Sequence, residues 1–167
     1  VRVQPWLVVL TLAGTLVGAH QVVDVRAHQV VDREATVELT AKRTLMSAPA
    51  NISVGGGFVS GGELMDGQGG AKVGEGFSHC GVLAVSVTVP PEVTAHCTST
   101  FRLADGDLHL SSLRAYKSMA GGFGDTTMAV IGGTGKYAGA RGEGKATRAT
   151  AAGKADAVYR FTITLVG

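Results

Sequence analysis

Alternation of apolar and polar positions with period two runs through the chain from Thr36 onward. Ala140, Gly142, Gly144 and Ala146 alternate with Arg141, Glu143, Lys145 and Thr147. Tyr159, Phe161, Ile163 and Leu165 alternate with Arg160, Thr162 and Thr164. A strand with one buried and one wet face has this signature, because successive side chains point to opposite sides. The pattern predicts eight strands, at 36–46, 58–65, 72 or later to 89, 94–103, 107–116, 126–131, 139–147 and 157–166. Turn chemistry separates them at Gly55-Gly56-Gly57, Asp66-Gly67-Gln68-Gly69-Gly70, Pro90-Pro91, Asp105-Gly106, Gly121-Gly122-Phe123-Gly124 and Ala151-Ala152-Gly153. No helical period intervenes, so neighbours are expected to be antiparallel, and eight strands suffice for a sheet to close on itself. The expected fold class is all-β, a closed eight-stranded antiparallel barrel over 36–167.

Ahead of the barrel the pattern changes. Residues 1–19 carry an uncharged apolar run from Trp6 to Ala19 with Arg2 before it. This fits an export signal, or an apolar helical segment that packs on the body or tethers the chain to a membrane. The run is short for a span, which needs about 20 apolar residues. Residues 20–35 read as a linker with a duplicated Ala-His-Gln-Val-Val-Asp. Two copies cannot build a solenoid, and neither His20 nor His28 has a partner at metal-ligand spacing. The expected location is therefore exported or membrane-tethered, with the cytoplasm as the alternative.

The run Ala129-Val130-Ile131-Gly132-Gly133-Thr134-Gly135-Lys136-Tyr137 reads as strand, tight turn, strand. A phosphate-cradling loop would need Ser or Thr after the Lys and then a helix; here Tyr137 follows, and alternation resumes. With Asp105-Gly106 as central turn residues, Leu103 faces Leu108, Phe101 faces Leu110, Ser99 faces Ser112 and Cys97 faces Arg114. That side is apolar near the turn and is expected to face inward. A symmetric turn at Pro90-Pro91-Glu92-Val93 sets Ser86 opposite Cys97, so Cys80 lies on the same inward side. In that register Cys80 and Cys97 stand about 20 Å apart along the hairpin, so a bridge would need a bulge or an irregular loop near Pro90. Both the bridged and the free thiol stay open.

Composition narrows the function. The 167 residues suit one domain, 25 glycines suit a turn-rich β protein, and a net charge of +2 without a basic stripe gives no nucleic-acid signature. No Ser-His-Asp arrangement, metal cluster or dinucleotide loop is present as a motif. No metal or cofactor is expected.

The Gly-Gly-Thr-Gly turn, with Gly124-Asp125-Thr126-Thr127-Met128 before it and Gly139-Ala140-Arg141-Gly142 after it, resembles the allene oxide cyclase and dirigent group of β-barrels. Glu63-Leu64-Met65-Asp66, Ser78-His79-Cys80-Gly81-Val82 and Ala157-Val158-Tyr159-Arg160-Phe161-Thr162 resemble further pieces of that group in the same order, so the likeness covers about 36–166. It implies a barrel with a central hydrophobic cavity, no cofactor, and a homo-oligomer such as a dimer or trimer. It also implies a chemistry of ring closure or steered coupling on a small apolar substrate. The first-strand glutamate of the cyclase pattern falls on Glu38, Thr40 replaces its asparagine, its cysteine falls on Cys80, and its fifth-strand tyrosine falls near Arg114, a departure.

The expected function is thus a cofactor-independent cyclase acting on a polyketide-like chain, with an exported dirigent-like or ligand-binding barrel as the alternative. Glu38, Arg114 and Tyr159 are the candidate catalytic residues, to polarise or orient carbonyls. A buried Glu38 would have its pKa raised unless Arg114 or Lys42 offset the burial; it could instead pair with Arg114 or point outward. Thr40, Cys80, Phe101, Leu110 and Phe161 are the candidate substrate-binding residues. A void on the order of 300 Å³ or more, with Glu38 or Arg114 on its wall, would separate these readings from a barrel filled by its own side chains.

Overall fold

The computed structural model describes residues 34–67, 70–149 and 157–166. The readings on residues 1–19 and on nearly all of the 20–35 linker lie outside the described residues. Among the described residues nine strands form: β1 Ala35–Ser47, β2 Gly57–Asp66, β3 Lys72–Val85, β4 Val93–Leu103, β5 Gly106–Ser118, β6 Gly122–Phe123, β7 Thr126–Gly133, β8 Arg141–Arg148 and β9 Val158–Val166. Eight of them close as the expected antiparallel barrel, in the order β1-β2-β3-β4-β5-β7-β8-β9 and back to β1. The two-residue β6 is an addition, laid against β5. Closure through β1 and β9, where Leu39 sits opposite Phe161, leaves no long sheet edge to aggregate.

Alternation sorts the walls as anticipated. On β4, Val93, Ala95, Cys97, Ser99 and Phe101 are buried, and on β5 Leu108, Leu110, Ser112, Arg114 and Tyr116 are buried. At one end of the barrel Leu108, Leu110, Met128 and Ile163 fill the interior completely. The opposite end, where β1, β5 and β6 finish and β2 and β9 begin, is looser and holds the pocket described below.

Three local expectations are corrected. The β4–β5 turn is centred on Ala104 and Asp105, so Leu103 pairs with Gly106 and Phe101 with Leu108. The shift is two residues, which preserves every inward and outward assignment. Gly106 sits at φ +141, and a side chain there would run into the Thr134 carbonyl, so the turn is shaped by the neighbouring loop as much as by its own residues. That loop is the second correction: Gly135–Tyr137 form a 3-10 turn in place of a tight hairpin turn. It straps the β4–β5 turn, with Thr134 N–H donating to the Asp107 carbonyl at 2.8 Å, Asp107 N–H to Thr134 Oγ1 at 2.9 Å and Lys136 N–H to the Asp105 carbonyl at 2.8 Å.

The third concerns the cysteines. Ser86 N–H donates to the Glu92 carbonyl at 2.8 Å and closes an irregular loop, and a bulge follows Val82, so β3 slides by six residues from the symmetric register. Cys80 therefore lies directly opposite Cys97 with Cα atoms 4.1 Å apart, and the two form a disulfide.

Candidate active site

The pocket is a cavity of about 60 Å³ at the looser end of the barrel. Its walls are Phe101 and Phe161 at depth, Tyr116, Phe123 and Tyr159 higher up, and the Met46 side of β1. Arg114, Lys42 and Arg43 line it too, and no Asp, Glu or His does. The volume is well below the anticipated 300 Å³, because the packed layer of leucines, Met128 and Ile163 occupies the other half of the tube.

The rings are set edge to face and stacked. Phe101 meets Phe161 edge-on at 5.0 Å between centroids, and Phe123 stacks on Tyr159 at 4.1 Å with 7° between planes. Phe123 reaches the interior because β6 pairs with the end of β5, opposite Tyr116. The Tyr159 hydroxyl holds it there, accepting from Phe123 N–H at 2.8 Å and donating to the Phe123 carbonyl at 3.0 Å. Burial pushes the Tyr159 phenol above its ordinary value, against a smaller opposing pull from the Phe123 backbone.

Arg114 is only 3% exposed. Its guanidinium donates from Nε to Ser112 Oγ at 2.9 Å, from Nη1 to Ser78 Oγ at 3.2 Å and from Nη2 to Ser99 Oγ at 2.7 Å. It also lies 4.4 Å from the centre of the Phe123 ring, a cation–π contact. These three serines come from three adjacent strands, β3, β4 and β5, and their inward parity follows from the alternation. The Tyr116 hydroxyl stands 3.8 and 3.7 Å from the sulfurs of Cys80 and Cys97, so the disulfide backs this side of the pocket. Burial raises the Tyr116 phenol, and the Arg114 charge and hydrogen bond draw it partly back.

Of the candidate residues, Arg114, Tyr159, Phe101 and Phe161 meet at the pocket. Glu38 does not: it is exposed on the outer face of β1, whose inward positions are Leu39 and Ala41. It neither pairs with Arg114 nor acts inside. Thr40 shares that outer parity, with its hydroxyl 3.5 Å from the Gly67 carbonyl. Leu110 is fully buried in the packed half of the barrel, outside the pocket lining. Cys80 lies in the wall as half of the disulfide and is no free thiol.

Tyr116 stands among the polar candidates of the sequence without an assigned role, and Phe123, Arg43 and the serine trio are site residues outside the expected set. Tyr116 and the serines share Arg114's alternation and were open to detection on that ground. Arg43 shares the inward parity of Leu39 and Ala41 and pairs regularly with Gly62 ahead of the bulge, whereas Phe123 depends on a pairing inside a glycine loop, which alternation cannot reveal. Arg43 is anchored by donating to the Met119 carbonyl at 3.0 Å and to the Ala120 carbonyl.

Fold and site together define a closed antiparallel barrel with an aromatic-walled pocket at one end and a buried cation on its wall. The profile of the allene oxide cyclase barrel like domain matches residues 33–164, and the chain belongs to that family. Among solved structures it is similar to pyocyanin demethylase, with a TM-score of 0.58 and 23% identity over 77% of this chain and 99% of the other. A pterocarpan synthase dirigent protein gives a TM-score of 0.58 and 17% identity over 81% of this chain and 88% of that one. A Diels–Alderase from Streptomyces koyangensis gives 0.54 and 15% over 83% and 70%. At these identities the likeness is one of fold. No curated protein matches the sequence.

Proposed function

We propose that this barrel is a cofactor-independent cyclase that holds a flexible, largely apolar substrate of polyketide type for intramolecular ring closure. The observation that carries the proposal is the aromatic pocket with Arg114 buried on its wall. Holding reacting ends in a near-attack geometry can supply about 7–11 kcal/mol of the barrier, so the walls do most of the work. Arg114 orients a carbonyl and stabilises negative charge that develops on it. Tyr159 acts through its ring and through its grip on Phe123, since its hydroxyl is already engaged both ways. The pocket takes one end of the substrate, and the remainder lies across the mouth.

The small cavity favours a second reading, a dirigent-like or binding barrel that grips one end of a ligand and leaves the chemistry to another protein. Purified protein incubated alone with linear polyene-carbonyl substrates decides between them. Cyclised product, lost in Phe101→Trp with the circular dichroism spectrum unchanged, is the expected result. Substrate that is bound but recovered unchanged, or converted only when an oxidase is added, selects the second reading.

An oxidising, extracytoplasmic setting belongs to the proposal; the Cys80–Cys97 bridge supports it, since such bonds persist where thiols are not kept reduced. Self-association as a dimer or trimer belongs to it as well. Leu45, Val59 and Phe77 are exposed on adjoining strands of the outer wall, and sedimentation velocity would reveal the assembly.

A further inference from the structure

Arg114 is a permanent cation, and its hydrogen-bond partners are neutral hydroxyls, those of the three serines and of Tyr116. Removing a charge from water is costly unless a counter-charge repays it. The Phe123 face offsets part of that cost, but among the described residues no carboxylate pairs with Arg114. All the ion pairs recorded among the described residues lie on the surface, Lys72 with Glu63 and Glu75 and Lys136 with Asp105. No Asp, Glu or His lines the pocket. Glu38, the one carboxylate expected to reach Arg114, is outside the barrel. A buried guanidinium on a pocket wall, held only by neutral hydroxyls, is a favourable partner for an anionic group.

We infer that the occupant of this pocket is an anion, a planar conjugated ring bearing a carboxylate or an ionised enol or phenol whose charged oxygen sits against Arg114. The rest of the wall fits a planar body. Phe101, Phe123, Tyr159 and Phe161 offer ring faces and edges, and about 60 Å³ takes the charged edge of a ring while its remainder lies in the mouth. A guanidinium is suited to this capture because its planar fork matches a carboxylate or a pair of neighbouring oxygens. The inference rests on the pocket being the substrate site, as proposed above, and narrows the substrate to one with an acidic ring or an acidic end. An enolate also carries in its ground state the charge that Arg114 would stabilise during ring closure.

Isothermal titration of the full chain with salicylate and with salicylamide, its neutral counterpart of nearly the same shape, tests this at neutral pH. Salicylate is expected to bind about 30-fold more tightly, the scale of one desolvated charge pair. Arg114→Gln is expected to bring the two ligands level. Equal affinities in the unsubstituted protein, or a salicylate preference that survives Arg114→Gln, overturn the inference while leaving a ring-binding pocket and the cyclase reading in place. Failure of both ligands to bind also overturns it, and the turnover assay with Phe101→Trp then judges the cyclase reading separately. The comparison of the two ligands needs no substitution, so the test holds even where Arg114→Gln does not fold.

Discussion

The Tyr159 hydroxyl closes two hydrogen bonds on the backbone of Phe123 and so pins that residue's peptide groups to β9. Tyr159→Phe keeps the stacked ring and leaves a buried N–H without its acceptor, a loss of about 1–3 kcal/mol that urea denaturation would read. The same substitution is expected to loosen Phe123 and with it the pocket wall. Tyr116 and Tyr159 both carry phenols raised above the ordinary value of 10.0 by burial. The sign follows from linkage: below that value both states keep their protons and the stabilisation is complete. Above it the unfolded chain releases protons that the native state retains, and stability is lost as pH rises through the native values. Thermal melts taken at increasing alkaline pH should therefore fall, and Tyr116→Phe should flatten the decline.

At the scale of elements, strand geometry decides where each residue can act. On β1, adjacent Glu38 and Leu39 end up on opposite sides of the wall, and the phase is set by pairing Leu39 with Phe161 on β9. Both phases are compatible with an alternating strand, which is why the resemblance to a cyclase glutamate was not enough to bring Glu38 inside. On β8, Gly142 sits at φ +141, and an added Cβ would strike the Thr164 carbonyl of β9. Gly142→Ala is expected to cost at least about 2 kcal/mol through backbone strain and a broken ladder, seen as a lower denaturation midpoint. Where the alternation met an irregularity, as at the bulge after Val82 and in the Ser86–Glu92 loop, a register read from the turn alone was displaced. Where a strand was regular, as along β5 from Leu108 to Tyr116, the inward set was legible, Arg114 included.

For the whole molecule, the barrel divides into a solid half that supplies stability and a hollow half that supplies the site. The disulfide joins strands β3 and β4 beside the hollow half, where packing is thinnest. Closing a separation of 17 residues is worth about 3 kcal/mol by loop-closure entropy. Dithiothreitol, or a Cys80→Ala, Cys97→Ala pair, is expected to lower the unfolding free energy by about that amount. Because the Tyr116 hydroxyl rests near both sulfurs, ligand affinity should drop as well. Unchanged denaturation curves with and without reductant would refute the assignment of a stabilising bridge.

The residue order determined the all-β class, the eight strands of the barrel, the inward faces of β4, β5 and β9, and the family of the barrel. Alternation and glycine turns are local properties, and each acts within a few residues. The tertiary structure decided what depends on distant partners: the phase of β1, the meeting of Cys80 with Cys97, the pinning of Phe123 by Tyr159, and how far the leucine layer fills the tube. Pairing register between strands is set by the sum of contacts around a closed sheet, so a bulge in one strand shifts what faces what across the lumen. That closure brought three serines and an arginine together and left the anticipated glutamate in solvent.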